Sequence, residues 1–432
     1  MNEGPIFTVG VPRLTSLAQA AELDAEDPLS MYRDRFAIPV RPDGTDEVYL
    51  CGNSLGCMPR AVPDLLAREC QAWAERGVEG HLTGDAPWYT YHELVRDGLA
   101  RVVGAEPGEV VAMNSLTVNL HLMLVSFWRP DGRRRRILME RGAFPSDRYA
   151  VSSHVAARGH DPSDVIECLE PRPGEDTLRT EDIEARLARG DVADIALVLL
   201  GGVHYVTGEY LDIPAVTRAT HAAGAVMGVD LAHAVGNVPL ALHEWGVDFA
   251  VWCSYKYLNA GPGAVGGCFV HRRHGNSDTL PRLAGWWGND PATRFEMPER
   301  FVPVAGADGW QLSNPPVLAL APLRASLALF DEVGVTALRA RSVRLTGALE
   351  HLVRELPAGR CQILTPSDPE RRGCQLSLRI PGGAHAVFEG LRARGVLPDL
   401  RKPDVIRLAP VPLYNTFSDC WRAFTALRTL LA

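Results

Sequence analysis

Two positions in this sequence carry side chains suited to work on a carbonyl compound. Lys256 follows the apolar run Val251-Trp252-Cys253 and leads into Gly261-Pro262-Gly263-Ala264-Val265-Gly266-Gly267. Asp230 stands 26 positions earlier, at the end of the apolar run Ala225–Val229, and begins Asp230-Leu231-Ala232-His233. A lysine amine can condense with a carbonyl and can cycle as a base, whereas a guanidinium stays charged. Of the 44 basic residues only Lys256 and Lys402 are lysine. Cations on the surface of this chain are therefore arginine, and a lysine beside glycine-rich backbone stands out. Each residue also has an ordinary reading: a surface lysine before a turn, a strand-end acid capping the next helix, a packed histidine. Taken together, Asp230 and Lys256 fit pyridoxal phosphate. That cofactor needs a lysine on its aldehyde and an acid that keeps its ring nitrogen protonated, so the ring can store electrons. Asn114-Ser115-Leu116-Thr117 lies between an apolar run and a helical stretch, where free N–H groups and a hydroxyl could cradle its phosphate.

These residues need a frame. Apolar runs at Val110–Met113, Arg136–Glu140, Ile195–Leu200, Ala225–Val229, Phe249–Cys253 and Val265–Val270 read as strands. Helical patterns fall between them, near 117–127, 146–158 and 213–223. Strands separated by helices predict a mainly parallel sheet covered on both faces, with ligands outside the strands' carboxyl ends. After Pro315-Pro316 the pattern changes to long helices near 318–332 and 335–355. Short strands near 374–379 and 405–408 and helices near 384–394 and 417–431 follow. The expected architecture is α/β: a large domain over 61–310 and a smaller α+β domain over 311–432. Residues 1–60 form a proline-punctuated arm and part of the small domain, packing with it or across a neighbouring subunit.

Composition removes other classes of function. The net charge is −8, and the one basic run, Arg133–Arg136, reads as a solvated loop, so nucleic-acid binding is not expected. No run of about 18 apolar residues suggests a membrane span. Met1-Asn2-Glu3-Gly4-Pro5 has no basic stretch leading into an apolar one, so no secretory signal is expected. The nine cysteines are scattered and odd in number, which predicts reduced thiols and a cytoplasmic location. No histidine pair has metal-ligand spacing.

The segments YLCGNSLG (49–56), MNSLTVNLHL (113–122), AFPSD (143–147), DLAHAVGN (230–237), WGVDFAVWCSYKYLNA (245–260), GWWG (285–288), LSNPP (312–316), RGCQLSL (372–378) and RLAPVPLYN (407–415) together resemble the kynureninase family. The resemblance runs in order from about residue 47 to the C-terminus. Each segment is modest alone; as a set they separate this family from aminotransferases and cysteine desulfurases of the same fold. It implies pyridoxal phosphate, fold type I of the pyridoxal-phosphate enzymes (the aspartate-aminotransferase fold) and a homodimer with shared active sites. It also implies a small amino-acid substrate and hydrolytic Cβ–Cγ cleavage of L-kynurenine or 3-hydroxy-L-kynurenine to an anthranilate and L-alanine.

Carried over residue by residue, Leu116 and Thr117 hold the phosphate side and Phe144 stacks on the ring. Ser146, Asp147, Asp230 and His233 contact the cofactor. Tyr255 and Trp286 reach the phosphate, Lys256 bonds the cofactor, and Asn314 comes from a partner loop. Lys256, Tyr255 and Asp230 carry the catalysis. Arg407 grips the substrate α-carboxylate with its planar fork. Trp287 joins the substrate site, and His81 with Ser313-Asn314 selects the ring substituent. This polar set favours 3-hydroxykynurenine, although His81 could simply pack on Trp88. The chain departs from the family pattern at Gly201 (often serine or threonine, so one phosphate-side contact is expected to be lost), at Val206 (usually tyrosine) and at Asn289 (usually histidine near the substrate ring). A methylated hydroxykynurenine remains open as substrate. Two rival readings stand beside this one: an aminotransferase or a desulfurase on the same fold, and a non-catalytic pyridoxal-fold binding module.

Overall fold

A computed structural model describes residues 10–189, 194–277 and 279–432. Residues 1–9, including the N-terminal segment read above for a secretory signal, lie outside the described residues. The arm opens with helix α1 (Leu17–Glu26), whose first turn is capped by Ser16 Oγ accepting from Gln19 N–H at 3.1 Å. Strand β1 (Val110–Ala112) leads into helix α2 (Leu116–Phe127), and β2 (Arg136–Glu140) into α3 (Pro145–Ala157). Strands β3 (Ile166–Leu169), β4 (Ile195–Gly201), β5 (Val226–Asp230), β6 (Phe249–Cys253) and β7 (Gly266–Val270) complete a seven-stranded sheet in the order β1-β7-β6-β5-β4-β2-β3.

Strands β3, β2, β4, β5 and β6 pair in parallel, and β7 runs antiparallel to both β6 and β1. The carboxyl ends of β1 to β6 therefore share one edge. The cause is visible in β4, whose run Ile195–Leu200 is buried throughout. Successive side chains point to opposite faces: Val198 and Leu200 enter one core with Met227, Val229 and Trp252, while Leu197 and Leu199 enter the other with Ile137, Phe249 and Val251. Burying each such aliphatic side chain contributes roughly 1.5–3 kcal/mol, so a helix layer on both faces is the stable arrangement.

Helices α4 (Val317–Val333) and α5 (Val335–Arg354) connect the sheet to the second unit, a four-stranded sheet with β8 (Gln362–Ile363), β9 (Leu376–Arg379), β10 (Asp399–Arg401) and β11 (Val405–Leu408) in the order β8-β9-β11-β10. The terminal helix α6 (Phe417–Leu431) starts with a reciprocal cap between Thr416 and Asp419. The arm packs here. Leu14, Ala20, Val48 and Leu50 share a core with Leu345, Ile406 and Phe424. The Asp24 carboxylate accepts from the N–H groups of Phe417 and Ser418 at 2.7 and 3.0 Å, and Val48–Tyr49 pairs in parallel with Val396–Leu397.

The basic run is not a merely solvated loop. The Arg134 guanidinium donates to the carbonyls of Ile195 and Ala223, and Arg136 lies in β2, paired with Asp194 at 2.7 Å. Burying carbonyls at the start of β4 and the end of helix 213–222 calls for a donor, which Arg134 supplies, while Arg136 neutralises a carboxylate. No helix among the described residues is long and apolar enough to cross a membrane.

Candidate active site

A cavity of about 180 Å³ opens at the carboxyl edge of the large sheet. Every strand of that edge except the outermost, β3, delivers residues to it. The β1–α2 turn brings Leu116 and Thr117, and the β2–α3 turn brings Phe144, Ser146 and Asp147. Strand β4 ends in Gly201, β5 in Asp230 with His233 one turn on, and β6 runs into Tyr255 and Lys256. Ten of the residues singled out in the sequence thus meet in one place.

Local structure fixes each group. Asn114 sits at a φ of +47°, and its amide donates to Asn119 Oδ1 at 2.9 Å; Asn119 in turn donates to Met113 O, holding the turn before α2. Ser115 makes no side-chain cap, so the first N–H groups of α2 are free toward the cavity. Thr117 Oγ1 and Ser146 Oγ lie 2.7 Å apart, tying the starts of α2 and α3 together. The Lys256 loop is a tight turn: Asn259 N–H donates to Lys256 O at 2.9 Å and Ala260 N–H to Ser254 O at 3.0 Å. Gly56 backs this turn, its N–H donating to Tyr255 O at 2.8 Å. A Cβ on Gly56 would lie 2.3 Å from Lys256 O, so only glycine lets the two segments meet.

The electrostatics are unusual for a packed interior. Asp230 Oδ1 accepts from Ala232 N–H at 2.7 Å, which aims the carboxyl into the cavity. Burial, the neighbouring Asp230 charge and a hydrogen bond between the two carboxyls hold Asp147 well above the usual carboxylate range, while Lys256 opposes this. His233 is buried, and burial with the charges of Lys256 and Arg407 keeps its ring neutral. Asp147 Oδ1 and His233 Nδ1 are both buried without a hydrogen-bond partner. Lys256 Nζ lies 5.9 Å from the centroids of the Phe144 and Tyr255 rings, and Phe144 is 40 % exposed at the mouth of the cavity.

This donor set fits pyridoxal phosphate. A proton-sharing acid pair suits a ring nitrogen that must stay protonated, and the open face of Phe144 suits a flat ring. The free α2 N–H groups with two hydroxyls suit a phosphate. The amine of Lys256 faces the same space. Unpartnered buried polar atoms gain partners when such a group binds.

Arg407 is fully buried in β11. It is paired with Asp399, donates through Nη1 to the Tyr205 carbonyl at 2.6 Å, and keeps an unpartnered Nε. Tyr205 lines the cavity, so Arg407 stands directly behind its wall.

The remaining selected residues do not line the cavity of the single chain. His81 packs edge-on against Trp88 at 5.3 Å and contacts Val78 O through Nδ1 at 3.1 Å. Ser313 and Asn314 are exposed. Trp286 is 40 % exposed, and its Nε1 donates to Arg294 O at 3.2 Å. Trp287 is buried beneath the Arg294 guanidinium, 4.5 Å from its ring centroid. Asn289 is buried, and its Oδ1 accepts from Val302 N–H at 2.7 Å, so that oxygen closes a loop. Val206 serves through its carbonyl, which accepts from Ser377 Oγ at 2.6 Å.

Sequence reasoning missed Glu140, His204 and Tyr205, all of which line the cavity. The signal was present: they sit at or just past the carboxyl ends of β2 and β4, where Asp230 and Lys256 sit on β5 and β6. Cys253 also lines the cavity, but it is fixed at the end of β6, and burial pushes its thiol up. A desulfurase needs a mobile, readily ionised cysteine. At the opposite edge of the sheet Glu109, His243 and His271 lie close enough to share an ion. The two imidazoles are stacked at 5.1 Å and 15°, however, and an ion must lie in the plane of each ring that binds it. Instead His243 Nδ1 bonds Glu109 at 2.9 Å.

Comparison with known proteins bears on this geometry. The cystine C–S lyase C-DES, in a mutant with glycine covalently linked to its PLP cofactor, superposes with a TM-score of 0.74 over 92 % of this chain and 98 % of its own, at 18 % identity. The cysteine desulfurase CsdA from Escherichia coli gives 0.73 over 97 % and 99 %, at 17 % identity. At such identity the likeness shows the shared fold alone. The family model of the kynureninase C-terminal domain matches residues 338–427. A kynureninase of Xanthomonas oryzae pv. oryzae (strain PXO99A) is 59 % identical over 409 residues, 94 % of this chain and 96 % of that protein. One of Myxococcus xanthus (strain DK1622) is 56 % identical over 403 residues, 93 % and 94 %. With more than half of all residues shared along nearly the whole length, the chain belongs to the kynureninase family.

Proposed function

We propose that this protein is a pyridoxal-phosphate-dependent hydrolase that cleaves the Cβ–Cγ bond of L-kynurenines and prefers 3-hydroxy-L-kynurenine. The observation that carries the reading is Lys256 facing the Asp147–Asp230 pair in a cavity at the sheet's carboxyl edge. Bound pyridoxal phosphate supplies an electron sink for charge left on the substrate. The chain's own residues do the rest. Leu116, Thr117 and Ser146 hold the phosphate, Phe144 covers the ring, and Asp147 with Asp230 keeps a proton at the ring nitrogen. His233, held neutral, fills the wall without adding charge. Lys256 takes the proton from the substrate Cα. Burial pushes the Tyr255 phenol up, so it stays protonated and serves as a donor beside Lys256. Arg407 binds the α-carboxylate. Water adds across the broken bond: the oxygen ends in the carboxyl of the anthranilate and one hydrogen on the methyl of alanine. No external oxidant or reductant is needed.

In the same reading 61–310 form the cofactor domain, and 311–432 with the arm form the small domain. A second copy completes the site, bringing Asn314 on its loop; Trp286 reaches the phosphate, His81, Trp287 and Ser313 belong with Asn314 to the substrate site, and Gly201 contributes no hydroxyl. The nine free cysteines fit a cytoplasmic location. The hydroxyl-competent set His81, Ser313 and Asn314 supports the 3-hydroxy preference. The test is kcat/KM on both substrates: the 3-hydroxy compound should lead by more than about tenfold, and a lead for unsubstituted kynurenine would end the proposal of preference.

A further inference from the structure

Behind the cofactor cavity lies a second cavity of about 70 Å³. Three residues, Glu140, Gly201 and His204, line both. The second cavity ends at Arg141, which is exposed, and Asp176. At roughly 10–15 Å³ for each water it has room for several.

Glu140 is the group that faces both spaces. Its two oxygens accept from Gly201 N–H at 3.1 and 3.2 Å. Gly201 is not in a left-handed conformation, so the backbone does not require glycine. A Cβ there would stand 3.1 Å from Glu140 Oε1, so the missing side chain leaves room for the carboxyl. The acids around it are Asp147, Asp230 and Glu209. His204, pushed down to about 4 by burial, is neutral, and Lys256 acts on the far side through Asp147. Among the described residues no cation pairs with Glu140. Burial, with Asp230 and Glu209 adding to it and the Gly201 N–H opposing, pushes its carboxyl up to about 7. An acid poised near neutrality, unpaired and one layer behind a cofactor site, has the profile of a functional group.

We propose that Glu140 is a positioning residue that holds the proton of the Asp147–Asp230 pair toward the cofactor's ring nitrogen, with the second cavity as its path to solvent. This rests on the cofactor assignment made above. When ionised, Glu140 disfavours negative charge on the pair and favours positive charge on the ring, and so tightens cofactor binding. When protonated it resembles glutamine.

The test is a titration of the full-length protein, freed of cofactor, with pyridoxal phosphate across pH 6 to 9, for wild type, Glu140→Gln and Glu140→Asp. The ratio of Kd for Glu140→Gln to that of wild type should be near one at pH 6 and about ten at pH 8.5, the effect of one pKa unit on the bound ring. Groups that do not interact with Glu140 cancel in this ratio; Glu209, pushed up to about 7 by burial, does interact, so the pair is repeated in a Glu209→Gln background, where the rise should persist. Glu140→Asp should bring the rise back down. A ratio that is constant across the range would mean a structural role and overturn the proposal. If Glu140→Gln does not fold, Gly201→Ala crowds the same carboxyl and should move the midpoint of the pH dependence; a superimposable curve would overturn it equally. A wild type that binds no cofactor defeats the functional reading itself, whereas a wild type that binds and cleaves beside a flat ratio defeats only this inference.

Discussion

Replacing Arg407 by lysine separates two jobs that the guanidinium performs at once. One side is structural: it pairs with Asp399 and donates to Tyr205 O at 2.6 Å. The other side, with the unpartnered Nε, is what a substrate carboxylate would meet. Lysine keeps a positive charge near Asp399, so no buried acid is stranded, but it cannot reach Asp399, Tyr205 O and a carboxylate together. Losing one hydrogen bond to a charged group costs about 1.5–3 kcal/mol, so kcat/KM should fall about 10- to 150-fold. Most of the change should fall on KM, and the visible absorbance of lysine-bound cofactor should persist. Arg407→Ala would instead leave Asp399 with Arg401 alone, 3.1 Å away, and would strip the Tyr205 carbonyl of its donor, so it would destabilise the fold as well as the site. Steady-state kinetics on the substrate and on its analogue lacking the α-carboxylate decide the matter. The lysine variant should lose activity on the first and match wild type on the second. Equal losses on both, or kcat/KM within twofold of wild type on the substrate, would refute the assignment.

Other outcomes follow from the same geometry. Lys256→Ala should remove the visible cofactor absorbance and turnover, while Lys402→Ala, an exposed residue in the β10–β11 turn, should change neither. Cys253→Ser should keep cleavage within a few-fold of wild type, since the thiol is buried and un-ionised; loss of turnover with cofactor still bound would revive the desulfurase-like reading. Burial alone would raise the Asp248 carboxyl, but hydrogen bonds from His221, His274 and Met227 N–H, with the Arg273 charge, hold it well below the usual range. Its stabilising contribution is therefore present above about pH 4 and lost as pH falls below that. Asp248→Asn should lower stability by about 3 kcal/mol at pH 7, and the difference in melting temperature from wild type should shrink toward pH 3.

The strands that bury both faces were legible because their content leaves no other option. Arg136–Glu140, Phe249–Cys253, Val405–Leu408 and the terminal helix Phe417–Leu431 match the residues expected from pattern alone. Strands β3, β8 and β10 were not. They are short edge strands with polar residues such as Glu167, Gln362 and Asp399, held by one neighbour and by tertiary contacts that no local pattern records. The cofactor side of the site was readable because one rule, chemistry at strand carboxyl ends, covers Asp230 and Lys256. Glu140 escaped because an acid ending a strand looks like a solvated charge, and only the fold shows it facing two cavities. Arg134 escaped for the mirror reason: within a run of four arginines its reach to the carbonyls of Ile195, at the start of β4, and Ala223 leaves no trace. The substrate-ring residues depended wholly on family resemblance, and in one chain they stand apart from the cavity.

In the proposed function Lys256 and the acid pair hold pyridoxal phosphate for hydrolytic cleavage of a kynurenine. The direct measurement is to add 3-hydroxy-L-kynurenine to the purified holoenzyme and quantify both products together. L-Alanine and 3-hydroxyanthranilate should form in equal amounts, with no keto acid required. Alanine-free turnover, a requirement for a keto-acid acceptor, or bound cofactor with no cleavage of either kynurenine would contradict it.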